Sequence, residues 1–354
     1  MKAEEYARFE KMSRRDRRDI FEIVAEARGI RSSYVEKDYW VRRVLDILMK
    51  EPPSRPKCFF KGGTSLSKGF DLIERFSEDI DIVFSRSGLG ISGNSDPTDP
   101  NVAMSPTQRK KLLEEVKNKS VDHMRGKLIT KLTSALPNTS ISYDEKEGAV
   151  SVAYEAICDV DDYAKPKIKI EGGARGALVP ITEQSVSPYV QDVLKGKQKY
   201  DLQIDQITMI RPDRTFLEKL VAIHSFNCKC SSEDKSKRPK DANRYSRHFY
   251  DVARIAPTRF GKKALKDSEL FAHVVSHSAL TFPGATCRYD LAKPDTITIV
   301  PTKDVRRMLE ADYRAMSGMM FGTAPSFDEI MKLLTIIENS LRDLDERQML
   351  LDLV

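Results

Sequence analysis

The residues of this chain that could carry chemistry are concentrated in one short stretch, "FKGGTSLSKGFDLIERFSEDIDIVF", at positions 60–84. Its first half contains two glycines followed by two hydroxyl side chains: Gly62, Gly63, Thr64 and Ser65. Glycine lets the backbone approach a ligand closely, and the free N–H groups at the start of a helix attract phosphate. The same residue types also form ordinary helix N-cap turns. The first half therefore fits either a phosphate-binding turn or a plain cap.

The second half alternates acidic and apolar residues from Asp79 to Ile82. In a strand, this alternation places Asp79 and Asp81 on one face and the isoleucines on the other. Two carboxylates one pleat apart repel each other unless a cation lies between them, although an exposed edge strand can carry such a pair. Rigid carboxylate oxygens are ligands that Mg²⁺ prefers, with substrate phosphates and water completing its shell. We therefore predict that Asp79 and Asp81 hold Mg²⁺ or Mn²⁺ beside a triphosphate.

Periodicity predicts the elements that must position this stretch. Residues 1–50 and 107–135 show helical spacing, whereas "KCFF", "DIDIVF", "GAVSVAYEAI" and "PKIKIEGG" have the apolar run or alternation of strands. Residues 85–106 are rich in Gly, Ser, Pro, Asn and Asp and are predicted to form a mobile surface loop. From about residue 207 the pattern is helical, apart from a strand predicted at "TITIV", residues 296–300. The fold class predicted is α/β (α+β), with an α/β domain at 1–205 and a mostly α-helical domain at 206–354.

The composition is that of an ordinary globular chain, since 40% of the 354 residues are hydrophobic and 32% are charged. We find no run of about 18 apolar residues, and the charged N-terminus lacks the apolar segment of a signal peptide. Five irregularly spaced cysteines do not indicate a disulfide framework. These features predict a cytoplasmic protein with no membrane span. The net charge of +6 permits a nucleic-acid partner but does not demand one.

Residues 62–65 (the glycine turn) and Asp79 with Asp81 (the acidic couplet) together resemble a known signature. A GG[T/S] turn at the head of a helix, followed by D-x-D on the next strand, is similar to the DNA polymerase beta-type nucleotidyltransferase superfamily. The string "KGGTSLSKGF…RFSEDIDI" looks specifically like the AbiEii/AbiGii toxin family, which includes MenT-type toxins. Fifteen residues separate Gly63 from Asp79, longer than is usual in the superfamily but suited to this family. The resemblance implies a polymerase-beta-type core with a mixed sheet flanked by helices.

A second motif lies in "KPKIKIEGG". Because every second side chain of a strand lies on the same face, Lys167, Lys169 and Glu171 are predicted to share one face. The family's Lys-x-Asp/Glu motif matches Lys169 and Glu171, so the resemblance implies that Lys169 neutralises triphosphate charge and that Glu171 is the third catalytic acid. A Lys–Glu pair on a solvated sheet face has the same sequence pattern.

Two further motifs lie in the helical half. "EKLVA" resembles the family's EKLxA motif and implies that Lys219 contacts a phosphate or the nucleobase. "RHFYDV" resembles its fourth motif and implies a nucleotide contact at Arg247, with Asp251 pairing with Arg247 or His248. The family more often has Lys-Asp where this chain has Arg247 and His248. A solvated helix face has the same spacing. His224, on an apolar stripe, is predicted to be a packed histidine.

The function implied by the resemblance is that of a metal-dependent nucleotidyltransferase. Such an enzyme transfers a nucleoside monophosphate from a nucleoside triphosphate to an acceptor, here RNA such as tRNA. The family further implies the toxin of a type IV-like toxin–antitoxin or abortive-infection system in phage defence, with an AbiEi-like antitoxin that forms no stable complex. Two alternatives remain open on the residues alone: a non-catalytic nucleotide-binding regulator, and a small-molecule nucleotidyltransferase of the antibiotic-modifying kind.

Overall fold

The computed structural model describes residues 3–50, 56–77, 79–160, 165–195 and 200–342. The chain divides into two compact units. The first unit contains Met1–Gly69, Phe76–Asp96 and Met104–Ile210. The second unit contains Phe70–Arg75, Pro97–Ala103 and Arg211–Val354. The predicted domains, 1–205 and 206–354, stay a prediction, but these units divide after Ile210 and assign two short earlier segments to the second unit.

The first unit begins with three helices, as predicted for residues 1–50. They are α1 (Ala3–Glu10), α2 (Arg14–Arg28) and α3 (Ser32–Leu48). The Ser13 side chain caps α2 by accepting from the N–H of Asp16, and Gly29, at φ 63°, ends it in the left-handed conformation. The helices pack around a buried aromatic cluster that includes Phe9, Phe21 and Tyr39.

The centre of the first unit is a seven-stranded mixed sheet, which confirms the predicted fold class. Its strands are β1 (Cys58–Lys61), β2 (Ile80–Phe84), β3 (Ser140–Asp144), β4 (Ala149–Ala153), β5 (Lys167–Gly173), β6 (Ile181–Val186) and β7 (Ile204–Ile210). The strand order is β3-β4-β5-β2-β1-β7-β6. The β2–β5 and β1–β7 pairs are parallel, and the other pairs are antiparallel. The two strands that carry the predicted acidic residues, β2 and β5, are therefore direct neighbours.

Four further helices belong to the first unit. They are α4 (Gly62–Lys68), α5 (Pro106–His123), α6 (Ile129–Ala135) and α7 (Gln191–Leu194), with a π-helical turn at Met124–Leu128 between α5 and α6. One face of the sheet is apolar: Ile80, Ile170 and Val150 lie in one row across β2, β5 and β4, and each is fully buried. Phe84, on the same face, contacts the ring of His123 at the end of α5, with centroids 4.9 Å apart. Because side chains alternate, the opposite face of the sheet carries the acidic residues.

The segment predicted as a loop, residues 85–106, contains only two short 3₁₀ turns before α5 begins. Arg86 anchors its first half, because this guanidinium pairs with Asp96 at 2.7 Å and donates to the carbonyls of Ala174 and Gly176. Ile91, within the segment, is buried. The predicted mobility of this loop stays a prediction.

The second unit is helical, as predicted. Its helices are α8 (Pro212–Cys230), α9 (Ser246–Ile255), α10 (Arg259–Lys266), α11 (Ser268–Thr281), α12 (Lys303–Ala315) and α13 (Phe327–Arg342). Helix α8 packs against α9, α10 and α11. The helical pattern begins at Pro212 instead of about residue 207, because residues 204–210 form β7. No helix within the described ranges has the length and apolar character that crossing a membrane would require.

The predicted strand at 296–300 is wrong. This segment consists of β-branched residues in which threonine and isoleucine alternate, but it pairs with no strand in the part of the chain that is described. Side chains satisfy its backbone instead. The Glu338 carboxylate accepts from the N–H groups of Ile299 and Val300 at 2.7 and 2.9 Å, and His224 Nδ1 accepts from Thr298 N–H at 3.0 Å. Once these donors have side-chain partners, no neighbouring strand is needed.

His224 fixes this segment only while its imidazole is neutral. Nε2 lies 2.9 Å from the carbonyl of Arg288 and donates to it, so Nδ1 must be unprotonated to accept from Thr298. Burial lowers the pKa of His224 from its usual 6.5. This histidine is packed and hydrogen-bonded, as the sequence predicted.

We expect this histidine to make stability pH-dependent. Below about pH 6.5 the unfolded chain takes up a proton that folded His224 resists, so stability present above that pH should be lost as the pH falls. His224→Gln keeps one donor and one acceptor but does not titrate. Urea midpoints measured from about pH 7.5 to about pH 5 should fall more steeply for the wild type than for the variant. Parallel pH profiles would contradict this assignment.

Candidate active site

The glycine turn lies directly between β1 and α4. Gly62 follows the last residue of β1 and has φ 78°, a left-handed conformation that favours glycine. A Cβ atom at Gly62 would lie 1.9 Å from Asp81 Oδ2. The backbone of the turn and the carboxylate of β2 are therefore in direct contact, and only glycine allows that approach.

The two hydroxyls of the turn are used inside the protein. Thr64 Oγ1 donates to the backbone carbonyl of Asp79 and lies 2.8 Å from Ser77 Oγ. Ser65 Oγ donates to the carbonyl of Gly62 at 2.9 Å. Both residues are fully buried, and no side chain caps the start of α4. The hydroxyls thus fix the turn to the start of β2.

A row of three charged residues crosses three neighbouring strands. Asp81 of β2 is paired with Lys61 of β1 on one side and with Glu171 of β5 on the other. Residues paired in this way share a face of the sheet. Asp79 precedes Asp81 by one pleat, and its charge acts on Lys169 of β5. The structure therefore brings the predicted Asp79, Asp81, Lys169 and Glu171 to one polar face, next to Gly62 and Gly63.

Lys169 is the cation at the centre of this face. Its ammonium lies 2.6 Å from Glu171 Oε1 and 3.0 Å from Glu147 Oε2. Partial burial alone would lower the pKa of Lys169, but the hydrogen bonds to the two glutamates and the charge of Asp79 outweigh it and raise the pKa. Lys169 therefore stays protonated at neutral pH and opposes the negative charge of the carboxylates.

The donor set fits a divalent ion that binds together with phosphate. In the described parts of the chain, no three His, Cys, Asp or Glu side chains come together to form a complete metal site. Mg²⁺, however, is commonly held by one or two carboxylates plus substrate phosphates and water. Asp79 and Asp81, on one face and beside the uncapped turn, provide that partial set. Glu171 is paired with Lys169, and its role as a third acid stays a prediction.

Two charged residues of this face were not predicted from the sequence. Lys61 immediately precedes the glycine turn, and its pairing with Asp81 depends on the β1–β2 register. Glu147 lies in the turn between β3 and β4 and reaches Lys169 from there. The position of Lys61 before the glycines was a local signal. Nothing in the sequence around Glu147 indicates its contact.

The other two predicted contacts, Lys219 and Arg247, belong to the second unit. Asp251 lies at the centre of their cluster and is fully buried. Contrary to the prediction, it pairs with Arg75 and Lys219 and not with Arg247 or His248. The Arg75 guanidinium binds both Asp251 oxygens at 2.7 and 2.8 Å, and Lys219 Nζ lies 2.8 Å from Oδ2. Arg75 comes from the segment before the acidic couplet, 176 residues away in sequence.

The electrostatics of this cluster favour an anion. Burial would raise the pKa of Asp251, but the charges of Arg75 and Lys219 outweigh it and lower the pKa. Burial lowers the pKa of Lys219 and, more strongly, that of His248, whose Nδ1 lies 3.5 Å from Lys219 Nζ. With His248 neutral, two cations, Arg75 and Lys219, pair with the one carboxylate of Asp251, and the charge of Arg247 acts on Lys219 and His248. Surplus positive charge of this kind, partly buried, is stabilised by a bound anion.

Comparison with known proteins places these motifs in a family. A family model described as "Nucleotidyl transferase AbiEii toxin, Type IV TA system" matches residues 43–333. Among solved structures, the chain is similar to MenT4, a nucleotidyltransferase toxin from Mycobacterium tuberculosis H37Rv, with 15% sequence identity and a TM-score of 0.35. That match covers 84% of this chain and 98% of MenT4. No curated protein sequence matches the chain.

The contact between Gly62 and Asp81 leads to a prediction on stability. Gly62→Ala must displace the carboxylate and adopt an unfavourable positive φ, so we expect it to lower the free energy of unfolding by about 1–3 kcal/mol in urea denaturation. Gly173→Ala, on β5, is the matched control, since nothing lies within 4 Å of the added Cβ atom. Its effect should stay within about 0.5 kcal/mol. Equal effects of the two substitutions would show that the contact imposes no constraint.

Proposed function

Since the chain belongs to the AbiEii family of nucleotidyltransferase toxins of type IV toxin–antitoxin systems, we propose that it transfers a nucleoside monophosphate from a nucleoside triphosphate to RNA. The acceptor class that we propose is tRNA. The observation that carries the proposal is the contact between Gly62 and Asp81, with Lys61 and Glu171 paired on either side of that carboxylate.

We assign the metal contacts to Asp79 and Asp81, which would hold Mg²⁺ or Mn²⁺. When bound, such an ion neutralises phosphate charge and lowers the pKa of a coordinated hydroxyl. The two aspartates suit this role because Asp81 lies on the polar face of β2, and the Thr64 hydroxyl holds the carbonyl of Asp79 directly before that strand. A rigid pair of carboxylates needs little reorganisation when the substrate binds.

The phosphates are assigned to the backbone of the turn from Gly62 to Ser65 and to Lys169. The uncapped N–H groups at the start of α4 supply donors, and Lys169 supplies a positive charge on the same face. An acceptor hydroxyl then attacks the α-phosphorus, its oxygen forms the new P–O bond, and pyrophosphate leaves. Glu171 is assigned to accept the hydroxyl proton. Holding the reactants in line and neutralising charge supplies most of the rate in such transfers.

In the second unit, Lys219 and Arg247 are proposed to bind an anionic group of the substrate, because their cluster has more positive than negative charge. The segment at residues 229–247 is proposed to contact the phosphates of the acceptor RNA. Lys235, Lys237 and Lys240 are exposed there. Phosphate contacts of this kind position a nucleic acid without reading its sequence.

The family implies an antitoxin partner. We propose an AbiEi-like antitoxin that acts without a stable complex, and a cytoplasmic location in which the enzyme meets nucleotides and RNA.

The transfer reaction is tested directly with labelled nucleotides. Wild-type protein incubated with Mg²⁺, each labelled triphosphate and total RNA should label an RNA acceptor, and Asp79→Ala and Asp81→Ala should reduce labelling roughly 100-fold or more. Asp159→Ala is the control, because that side chain is 91% exposed and lies in a surface ion pair. It should retain full labelling.

The outcomes separate this proposal from its alternatives. Saturable nucleotide binding by a folded protein, with no label on any acceptor, would favour a non-catalytic regulator. Label on a small molecule and not on RNA, identified by mass spectrometry, would favour an antibiotic-type transferase. Full activity of both aspartate variants would overturn the metal assignment.

Toxicity is a separate prediction. Expression of the wild-type chain from a tightly controlled promoter should arrest bacterial growth, because the modified RNA can no longer function. Asp81→Ala, expressed to the same level, should allow growth, whereas Asp159→Ala should arrest it. Arrest by the Asp81→Ala variant would separate toxicity from the transfer reaction.

A further inference from the structure

The Lys169 ammonium is already occupied before any substrate arrives. It lies 2.6 Å from Glu171 and 3.0 Å from Glu147, and the charge of Asp79 also acts on it. An ammonium group has three N–H donors. A phosphate oxygen that is to bind Lys169 closely therefore has to share this small group with carboxylates that carry the same sign of charge as the phosphate.

The two glutamates are equally exposed, with 47% of the Glu171 side chain and 46% of the Glu147 side chain accessible, but they differ in where the chain holds them. Glu171 is two residues from Lys169 on β5, so the strand keeps the two side chains on one face. Glu147 belongs to the turn that joins β3 and β4. Its carboxylate reaches Lys169 from outside β5, and 46% of its side chain is exposed. Rotation of the Glu147 side chain into solvent is therefore open to it.

The backbone that carries Glu147 is well fixed. Asp144 Oδ1 accepts from the N–H groups of Lys146 and Glu147 at 2.9 and 3.1 Å, and the Asp144 carbonyl accepts from Gly148 N–H at 2.8 Å. Gly148 completes the turn at φ 64°. The turn thus keeps Glu147 beside Lys169, and only the side chain has to move for the contact to break.

We propose that the Glu147 carboxylate takes the place of a substrate phosphate oxygen on Lys169 and is displaced when a nucleoside triphosphate binds. This inference rests on the proposed function, because it assigns Lys169 to the triphosphate. Glu147 is then an internal competitor that weakens nucleotide binding. Breaking one half-exposed ion pair of this kind changes an affinity by roughly two- to five-fold.

The test is an equilibrium titration without acceptor. The four α,β-imido nucleoside triphosphates are titrated, each with Mg²⁺, into the wild type, Glu147→Gln and Glu145→Gln. Glu145 is the matched control: it lies in the same turn and loses the same charge, but it pairs with Arg125 and not with Lys169. Glu147→Gln should bind the analogue roughly two- to five-fold more tightly than the wild type, with Glu145→Gln unchanged.

Two results of this titration would overturn the inference. Equal tightening in both variants would mean that only net charge matters. Weaker binding by Glu147→Gln, with an unchanged melting temperature, would mean that Glu147 orients Lys169 for the substrate and does not compete with it.

A double-mutant cycle sharpens the test. In a Lys169→Met background, Glu147→Gln should leave the affinity for the analogue unchanged, because the contact no longer exists. A persisting effect would contradict the inference. The failure of the proposed function has a different result. If the wild type binds none of the four analogues, both proposals are wrong. If the wild type and Glu147→Gln bind an analogue equally, only this inference is wrong.

Discussion

The carboxylate of Asp81 lies against the backbone of Gly62, and the geometry of the first unit depends on that approach. The absent Cβ at Gly62 lets β2 come close to the turn, and the positive φ directs the chain from β1 into α4 without a linker. The Thr64 hydroxyl then ties the turn to the carbonyl of Asp79. The glycine turn and the acidic couplet are thus held together, so that neither can shift without the other.

The charges of the sheet follow from this arrangement. Asp81 and Glu171 occupy one face of two neighbouring parallel strands, and Asp79 directly precedes the first of them. The mutual repulsion of these carboxylates would be unfavourable without cations. Lys61 and Lys169 supply part of the compensation. The protein thus keeps a local surplus of negative charge where a divalent ion and a polyphosphate would bring charges of opposite sign together. The cluster around Asp251 has the reverse balance, with more cations than carboxylates.

Local patterns predicted much of this. Helical spacing in residues 1–50 and the alternation at 79–84 and 167–171 depend on neighbouring residues, and the structure has α1–α3, β2 and β5 there. Contacts that depend on strand order or on the tertiary fold could not be predicted from local sequence patterns. Asp251 meets Arg75 because α9 packs beside a segment far away in sequence, and no spacing rule predicts such a pair. At residues 296–300 the sequence pattern predicted a strand that does not form, because side chains accept the backbone hydrogen bonds that a neighbouring strand would have accepted.

The segment at residues 296–300 also bears on how the folded protein avoids self-association. Thr296 to Val300 is rich in β-branched residues and carries no charge, a composition that readily templates pairing between separate molecules. Glu338 and His224 hold the N–H groups that such pairing would use. In the folded protein, these two side chains therefore keep the segment from pairing with another molecule. Protonation of His224 at low pH would remove one of these hydrogen bonds and make the segment more prone to self-association.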